Sequence, residues 1–169
     1  TNTEEQEVII AGIKKNGLEF AHRLKDKVEE IAPIKVIICE VEMDKRNPID
    51  TVKTSLNQEE YRDRSLVLVD DVLHSGTTLI YGIRHFLEVP LKQFKTAVLV
   101  NRNHKKYPVK ADFKGISLST SLNMNVEVIF EEGESLNGLF CIKDGVCKLT
   151  KLSANGKDQI IKLVEKITR

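Results

Sequence analysis

Only three cysteines occur in the 169 residues, Cys39, Cys141 and Cys147, and their spacing matches neither a zinc site nor a dense disulfide framework. An odd count suits a reducing compartment. A charge excess is also missing: 26 basic side chains face 25 acidic ones, so no global field draws the chain to nucleic acid or to an anionic membrane. That balance still permits a local basic patch. No apolar run approaches the ~20 residues of a membrane span, and the N-terminus lacks the pattern of a signal peptide. Internal repeats and low-complexity stretches are absent as well. What remains is the expectation of a cytoplasmic globule with no membrane partner, one domain over residues 1–169, able to bury roughly two thirds of its unfolded surface.

Strands and helices alternate along the chain. Val8 to Ala11 is a short apolar run, followed by Gly12, the Lys14-Lys15-Asn16-Gly17 turn, and then Leu18, Ala21, Leu24 and Val28 at helical spacing. Val36 to Val41 is a second β-branched run. Residues 42–64 then turn strongly polar without a sustained period, a length that in a compact domain marks a functional or mobile loop. Leu66 to Val69 is a wholly apolar strand, and Leu79, Ile83, Phe86 and Leu87 form a helical face after a small polar loop. Thr96 to Val100 and Val126 to Phe130 complete the strand candidates. The alternation predicts an α/β fold with a mainly parallel sheet covered on both faces.

The tail, residues 138–168, has a different pattern. Leu139 to Ile142 and Val146 to Leu149 flank Lys143-Asp144-Gly145, which reads as a hairpin. That hairpin sets Cys141 opposite Cys147, either as a disulfide or as two small buried hydrophobes. Ile160, Ile161, Leu163, Val164 and Ile167 among lysines read as a last amphipathic helix.

Chemistry concentrates in Leu66-Val67-Leu68-Val69-Asp70-Asp71-Val72-Leu73-His74-Ser75-Gly76-Thr77-Thr78. An apolar strand delivers two adjacent carboxylates to the C-terminal edge of the sheet, where open α/β folds bind their ligands. A few residues on, Ser75 to Thr78 opens a helix and offers hydroxyls and backbone amides at its positive end, an anion site. A phosphate there and a polyhydroxyl group on the carboxylates would lie about one ribose apart. Ser75 or Thr77 could instead merely cap the helix.

This stretch closely resembles the phosphoribosyl pyrophosphate signature of type I phosphoribosyltransferases, and the order of the other segments is similar to the pyrimidine-operon attenuator and uracil phosphoribosyltransferase branch. The resemblance implies a central, mainly parallel sheet with a small hood and a mobile lid. Asp70 and Asp71 would bind the ribose hydroxyls directly or through Mg²⁺, and Ser75, Gly76, Thr77 and Thr78 would hold the 5-phosphate. Lys14, Lys15, Asn16 and Gly17 resemble the pyrophosphate loop, with Lys15 and Asn16 replacing the branch's Thr and Arg. His74 stands where purine enzymes carry an aspartate and the attenuator branch an aromatic residue. It is a candidate base, or a loop side chain packing near the phosphate.

Residues 42–64 fall where the family has its lid, with Arg46 or Lys45 near the lid's arginine. Closure would shield the reaction from water. Asn101-Arg102-Asn103-His104-Lys105-Lys106-Tyr107-Pro108 and Ala111-Asp112-Phe113-Lys114-Gly115 resemble segments that implicate Asn101 and Arg102 at the nucleobase edge, Phe113 as a stacking ring and Lys114 as a main-chain partner. Phe113 could also be a core aromatic. Relatives usually carry a helical segment ahead of the first strand, whereas this sequence starts immediately before that strand, as either a shortened chain or one without the segment. The resemblance further leads us to expect a homodimer or larger assembly, and phosphoribosyl pyrophosphate and a nucleobase as substrates. Uracil comes first, then hypoxanthine or guanine. A second reading is an RNA-binding attenuation regulator that uses the pocket as a nucleotide sensor, with Arg102, His104, Lys105 and Lys106 on RNA phosphates.

Overall fold

The computed structural model describes residues 6–44, 52–102, 106–119, 126–129, 139–142, 147–152 and 158–164. The order of elements is β1 (Gln6–Ile13), α1 (Asn16–Ile31), β2 (Ile34–Glu42), β3 (Lys53–Thr54), α2 (Gln58–Tyr61), β4 (Ser65–Leu73), α3 (Thr77–Phe86), β5 (Gln93–Arg102), β6 (Phe113–Ser119), β7 (Val126–Ile129), β8 (Leu139–Ile142), β9 (Cys147–Leu152) and β10 (Asp158–Val164). Eight strands form one sheet in the order β10-β9-β6-β5-β4-β1-β2-β3, and β7 pairs with β8 in a separate two-stranded sheet. The five strands from β6 to β2 run parallel, and the antiparallel strands lie at the two edges.

Two apolar layers hold the helices to the sheet. One buries Leu79 and Phe86 of α3 against Ile9, Leu66 and Leu68, and the other buries Phe20 and Ala21 of α1 against Ile10, Val36 and Val69. The chain winds from β1 outward to β2, then returns to lay β4 on the other side of β1. The loops after β1 and β4 therefore leave the sheet side by side at its C-terminal edge, the point where such sheets open a ligand crevice.

Three expectations need correction. The polar stretch at 42–64 is not one loop. Its second half carries β3 and α2, which Asn57 and Glu60 close with a reciprocal capping box, and Tyr61 is fully buried with its ring 5.1 Å from that of Phe86. The capping pair, three residues apart, marks this helix start in the sequence. Lys45 and Arg46 lie outside the described residues.

The hairpin in the tail is not formed either. β8 pairs with β7, so Cys141 sits opposite Glu127, whereas β9 joins the main sheet and sets Cys147 opposite Val164. The expected last helix is β10, antiparallel to β9. Its run of Ile160, Ile161, Leu163 and Val164 is rich in β-branched residues and satisfies a strand as readily as a helical stripe.

Candidate active site

β4 carries the two carboxylates. Asp70 is buried, with 3% of its surface exposed, and its Oδ1 accepts the backbone N–H of Asp71 at 3.0 Å, while Asp71 is half-buried. The start of α1 presses directly on them. A Cβ on Gly17 would lie 3.0 Å from the Val69 carbonyl and 3.1 Å from Asp70 Cα, so glycine is what lets the helix terminus approach the acids. Asn16 completes the junction: its Nδ2 donates to Asp71 Oδ2 at 3.1 Å and to the Val128 carbonyl of β7 at 2.9 Å.

Across the cleft, β4 ends and the chain turns through Ser75 and Gly76 into α3. Gly76 adopts φ +82, which glycine alone takes without cost. The Ser75 hydroxyl lies 2.8 Å from that of Thr77 and accepts the Thr77 N–H at 3.2 Å. The Ser75 carbonyl accepts the N–H groups of Lys106 and Tyr107 at 2.8 and 3.1 Å. The loop is thus held by its own hydrogen bonds, with the positive end of α3 behind its hydroxyls. Asp70, His74, Ser75, Gly76, Thr78 and Leu79 help line a cleft of about 250 Å³, counting space open to solvent.

Other expected residues are distributed unevenly. Lys15 is exposed at the start of α1, and the Lys14–Lys15 peptide is cis. Lys14 sends its ammonium to Glu40 and Glu42 at 3.1 and 3.7 Å; the Glu40 hydrogen bond, then the charge of Glu42, holds its pKa above the usual lysine value. Asn101 and Arg102 end β5 level with Ser117 and Leu118 of β6. Asn101 is nine-tenths buried, and its Oδ1 lacks a hydrogen-bond partner among the described residues. Arg102 is buried to 2% and bonds His74, so it is not exposed for contact with RNA; His104 and Lys105 lie outside the described residues.

Phe113 and Lys114 are not brought to this edge. They open β6 opposite Ala97 and Val98, four and three residues short of Asn101, or about 13 and 10 Å along the strand. Asp112 fixes that register: its Oδ2 accepts the Thr96 N–H at 2.9 Å and the Thr96 hydroxyl at 3.0 Å. Phe113 is 58% exposed, neither a core ring nor part of the cleft.

A sheet switch point flanked by a carboxylate pair and a glycine-turned phosphate loop narrows the chemistry, and comparison with known proteins decides the family. Residues 1–131 match the model of the phosphoribosyl transferase domain. The chain belongs to the phosphoribosyltransferase family. It is 33% identical over 138 residues to a protein named Bifunctional protein PyrR from Streptococcus pneumoniae, covering 79% of this chain and 78% of that one. A protein of the same name from Leuconostoc citreum is 30% identical over 136 residues, covering 75% and 77%.

Among solved structures of this family, a hypoxanthine phosphoribosyltransferase of Trypanosoma cruzi superposes with a TM-score of 0.59 at 16% identity, covering 74% of this chain and 67% of that one. A hypoxanthine-guanine phosphoribosyltransferase of Bacillus anthracis gives 0.55 at 22%, covering 68% and 66%. This chain thus spans about two thirds of the length of those phosphoribosyltransferases, and the likeness establishes a shared type I fold.

Proposed function

We propose that this phosphoribosyltransferase moves the ribose 5-phosphate of phosphoribosyl pyrophosphate to a ring nitrogen of a nucleobase, uracil first and hypoxanthine or guanine second. The observation that carries the reading is the meeting of three segments at one switch point: the acids of β4, the α1 terminus locked to them through Asn16, and the loop from Ser75 to Thr78. Each matches one part of the donor. The α3 terminus with Ser75, Thr77 and Thr78 suits the 5-phosphate, Asp70 and Asp71 suit the ribose hydroxyls, and the Lys15 to Gly17 amides suit the pyrophosphate. Likeness to the PyrR proteins supports the attenuator branch and so uracil.

In the reaction the bond from the anomeric carbon to pyrophosphate breaks as the base nitrogen attacks from the opposite face, with inversion. The nitrogen's proton passes to the departing pyrophosphate. Positive charge grows on the ribose, beside the carboxylates of Asp70 and Asp71, where a fixed negative field lowers the barrier. Among the described residues no three side chains cluster as a metal cage. That fits Mg²⁺ held by the substrate's own phosphates and hydroxyls with at most two carboxylates, Asp70 and Asp71, and the ion would supply charge neutralisation for the leaving group. By the family resemblance, Arg46 would supply a further cation for the pyrophosphate. No helix of the described residues is long and apolar enough to cross a membrane; we assign the protein to the cytoplasm as a homodimer or larger assembly.

The test is calorimetric binding of phosphoribosyl pyrophosphate with Mg²⁺ to the wild type and to the Asp70→Asn, Asp71→Asn double variant. A folded double variant that binds at least tenfold more weakly supports the assignment. Unchanged affinity contradicts it.

A further inference from the structure

Lys14 follows β1 directly, and its side chain turns to the neighbouring strand β2. Its backbone N–H donates to the Val41 carbonyl at 2.8 Å, which sets the residue between Glu40 and Glu42. Those acids stand one residue either side of Val41 and so share one face of the strand. The Lys14 ammonium lies 3.1 Å from Glu40 Oε2 and 3.7 Å from Glu42 Oε2. Two residues on, α1 begins at Asn16 with Lys15 in the cap position, and no side chain caps its first amides. That terminus is the end of the cleft assigned above to pyrophosphate. Asn16 adds no donor there, because its two N–H groups are taken by Asp71 and Val128. A lysine carries its charge on a flexible four-carbon stem, so one swing of Lys14 separates the two acids from the anion.

We propose that Glu40 and Glu42 form an autoinhibitory latch that holds the Lys14 ammonium away from the pyrophosphate group, whose binding draws Lys14 out of both ion pairs. The inference rests on the transferase reading of the cleft and adds regulation to its pyrophosphate end. The side chains of Lys14, Glu40 and Glu42 are 40%, 47% and 64% exposed, so the pairs are weak enough to open. Lys53 of β3 stands opposite Glu42, which leaves a cation beside that acid when Lys14 departs. Pyrophosphate carries several negative charges against one on each glutamate, and it meets Lys14 at the positive end of α1. The cost of opening the latch is subtracted from pyrophosphate affinity. The departing product is therefore held less firmly than an unlatched Lys14 would hold it.

Calorimetric titration of inorganic pyrophosphate with Mg²⁺ into the whole chain tests the latch. Four forms are compared: wild type, Glu40→Gln with Glu42→Gln, Lys14→Met, and the triple variant. The double variant should bind pyrophosphate roughly 2- to 5-fold more tightly, the worth of exposed ion pairs. Lys14→Met should change wild-type affinity less than twofold, and in the double variant it should cancel the gain. No gain in the folded double variant overturns the proposal. So does a gain that survives in the triple variant, since it would come from removing two negative charges and not from releasing Lys14. A loss of more than twofold from Lys14→Met alone also overturns it, because Lys14 would then already serve the anion in the wild type. Titration with phosphoribosyl pyrophosphate separates the two failures. If none of the four forms binds it or pyrophosphate, the transferase reading falls and takes the latch with it; wild-type binding without the Lys14-dependent gain overturns the latch alone.

Discussion

Asn16 and Asp71, 55 positions apart, are joined by a 3.1 Å hydrogen bond, and the same amide group holds the β7 carbonyl of Val128 at 2.9 Å. One side chain thus ties the loop after β1, the acid pair of β4 and the small sheet into a single unit. Asn16→Ala removes both bonds and leaves an acceptor on each side without this donor. The expected cost is about 1–2 kcal/mol of stability, read by urea denaturation, with weaker binding of phosphoribosyl pyrophosphate. A variant with wild-type stability and wild-type binding would show that the junction is not needed.

Gly76→Ala places a Cβ 2.5 Å from Val109 Cγ1 at a backbone angle of +82, so it should destabilise through two separable effects. The left-handed conformation costs an alanine about 1–2 kcal/mol, and the clash adds to it. Val109→Ala in the same chain relieves the clash alone. The double variant should therefore be more stable than the sum of the single variants by about 1 kcal/mol, measured by urea denaturation. Simple additivity would refute the assigned contact.

Asp112 makes acid stability legible. Burial pushes its carboxyl up, but the Thr96 amide, Lys95 and the Thr96 hydroxyl together outweigh that and hold it below its ordinary value of 3.8. A carboxyl depressed in the folded state stabilises above its unfolded pKa and loses that contribution as pH falls through the folded one. Wild-type stability should drop below about pH 4, and Asp112→Asn should flatten that part of the profile. An unchanged slope in the variant would contradict the role of the Thr96 bonds. The carboxylate is more than one third exposed, so the effect is moderated by solvent.

Phe113→Ala should leave kcat/KM for the base within about twofold and stability within about 0.5 kcal/mol, as for an exposed site away from the chemistry. A tenfold loss in kcat/KM would return the ring to the nucleobase.

Local patterns were legible in the chain and long-range ones were not. The strand from Leu66, the acid pair and the helix opened by Ser75-Gly76-Thr77-Thr78 lie within thirteen consecutive residues, so a linear reading reaches all of them. The helical face of α1 likewise follows from the spacing of Ala21, Leu24 and Val28. Phe113 misleads because a local motif carries no register: its level on the sheet is set by Asp112 reaching back sixteen positions to Thr96. The His74–Arg102 contact spans 28 positions and the Asn16–Asp71 bond 55; neither leaves a trace in periodicity. In the tail, Cys141 and Cys147 flank a turn-like tripeptide, but pairing with distant β7 and β6 prevails over the local hairpin.

Pyrophosphate release with Mg²⁺ and phosphoribosyl pyrophosphate, assayed in parallel with uracil, hypoxanthine, guanine, xanthine, adenine and orotate, tests the central claim most directly. Release is expected with uracil, with hypoxanthine or guanine next, and none without a base. Silence with all six, from a chain that still binds phosphoribosyl pyrophosphate by calorimetry, would contradict it.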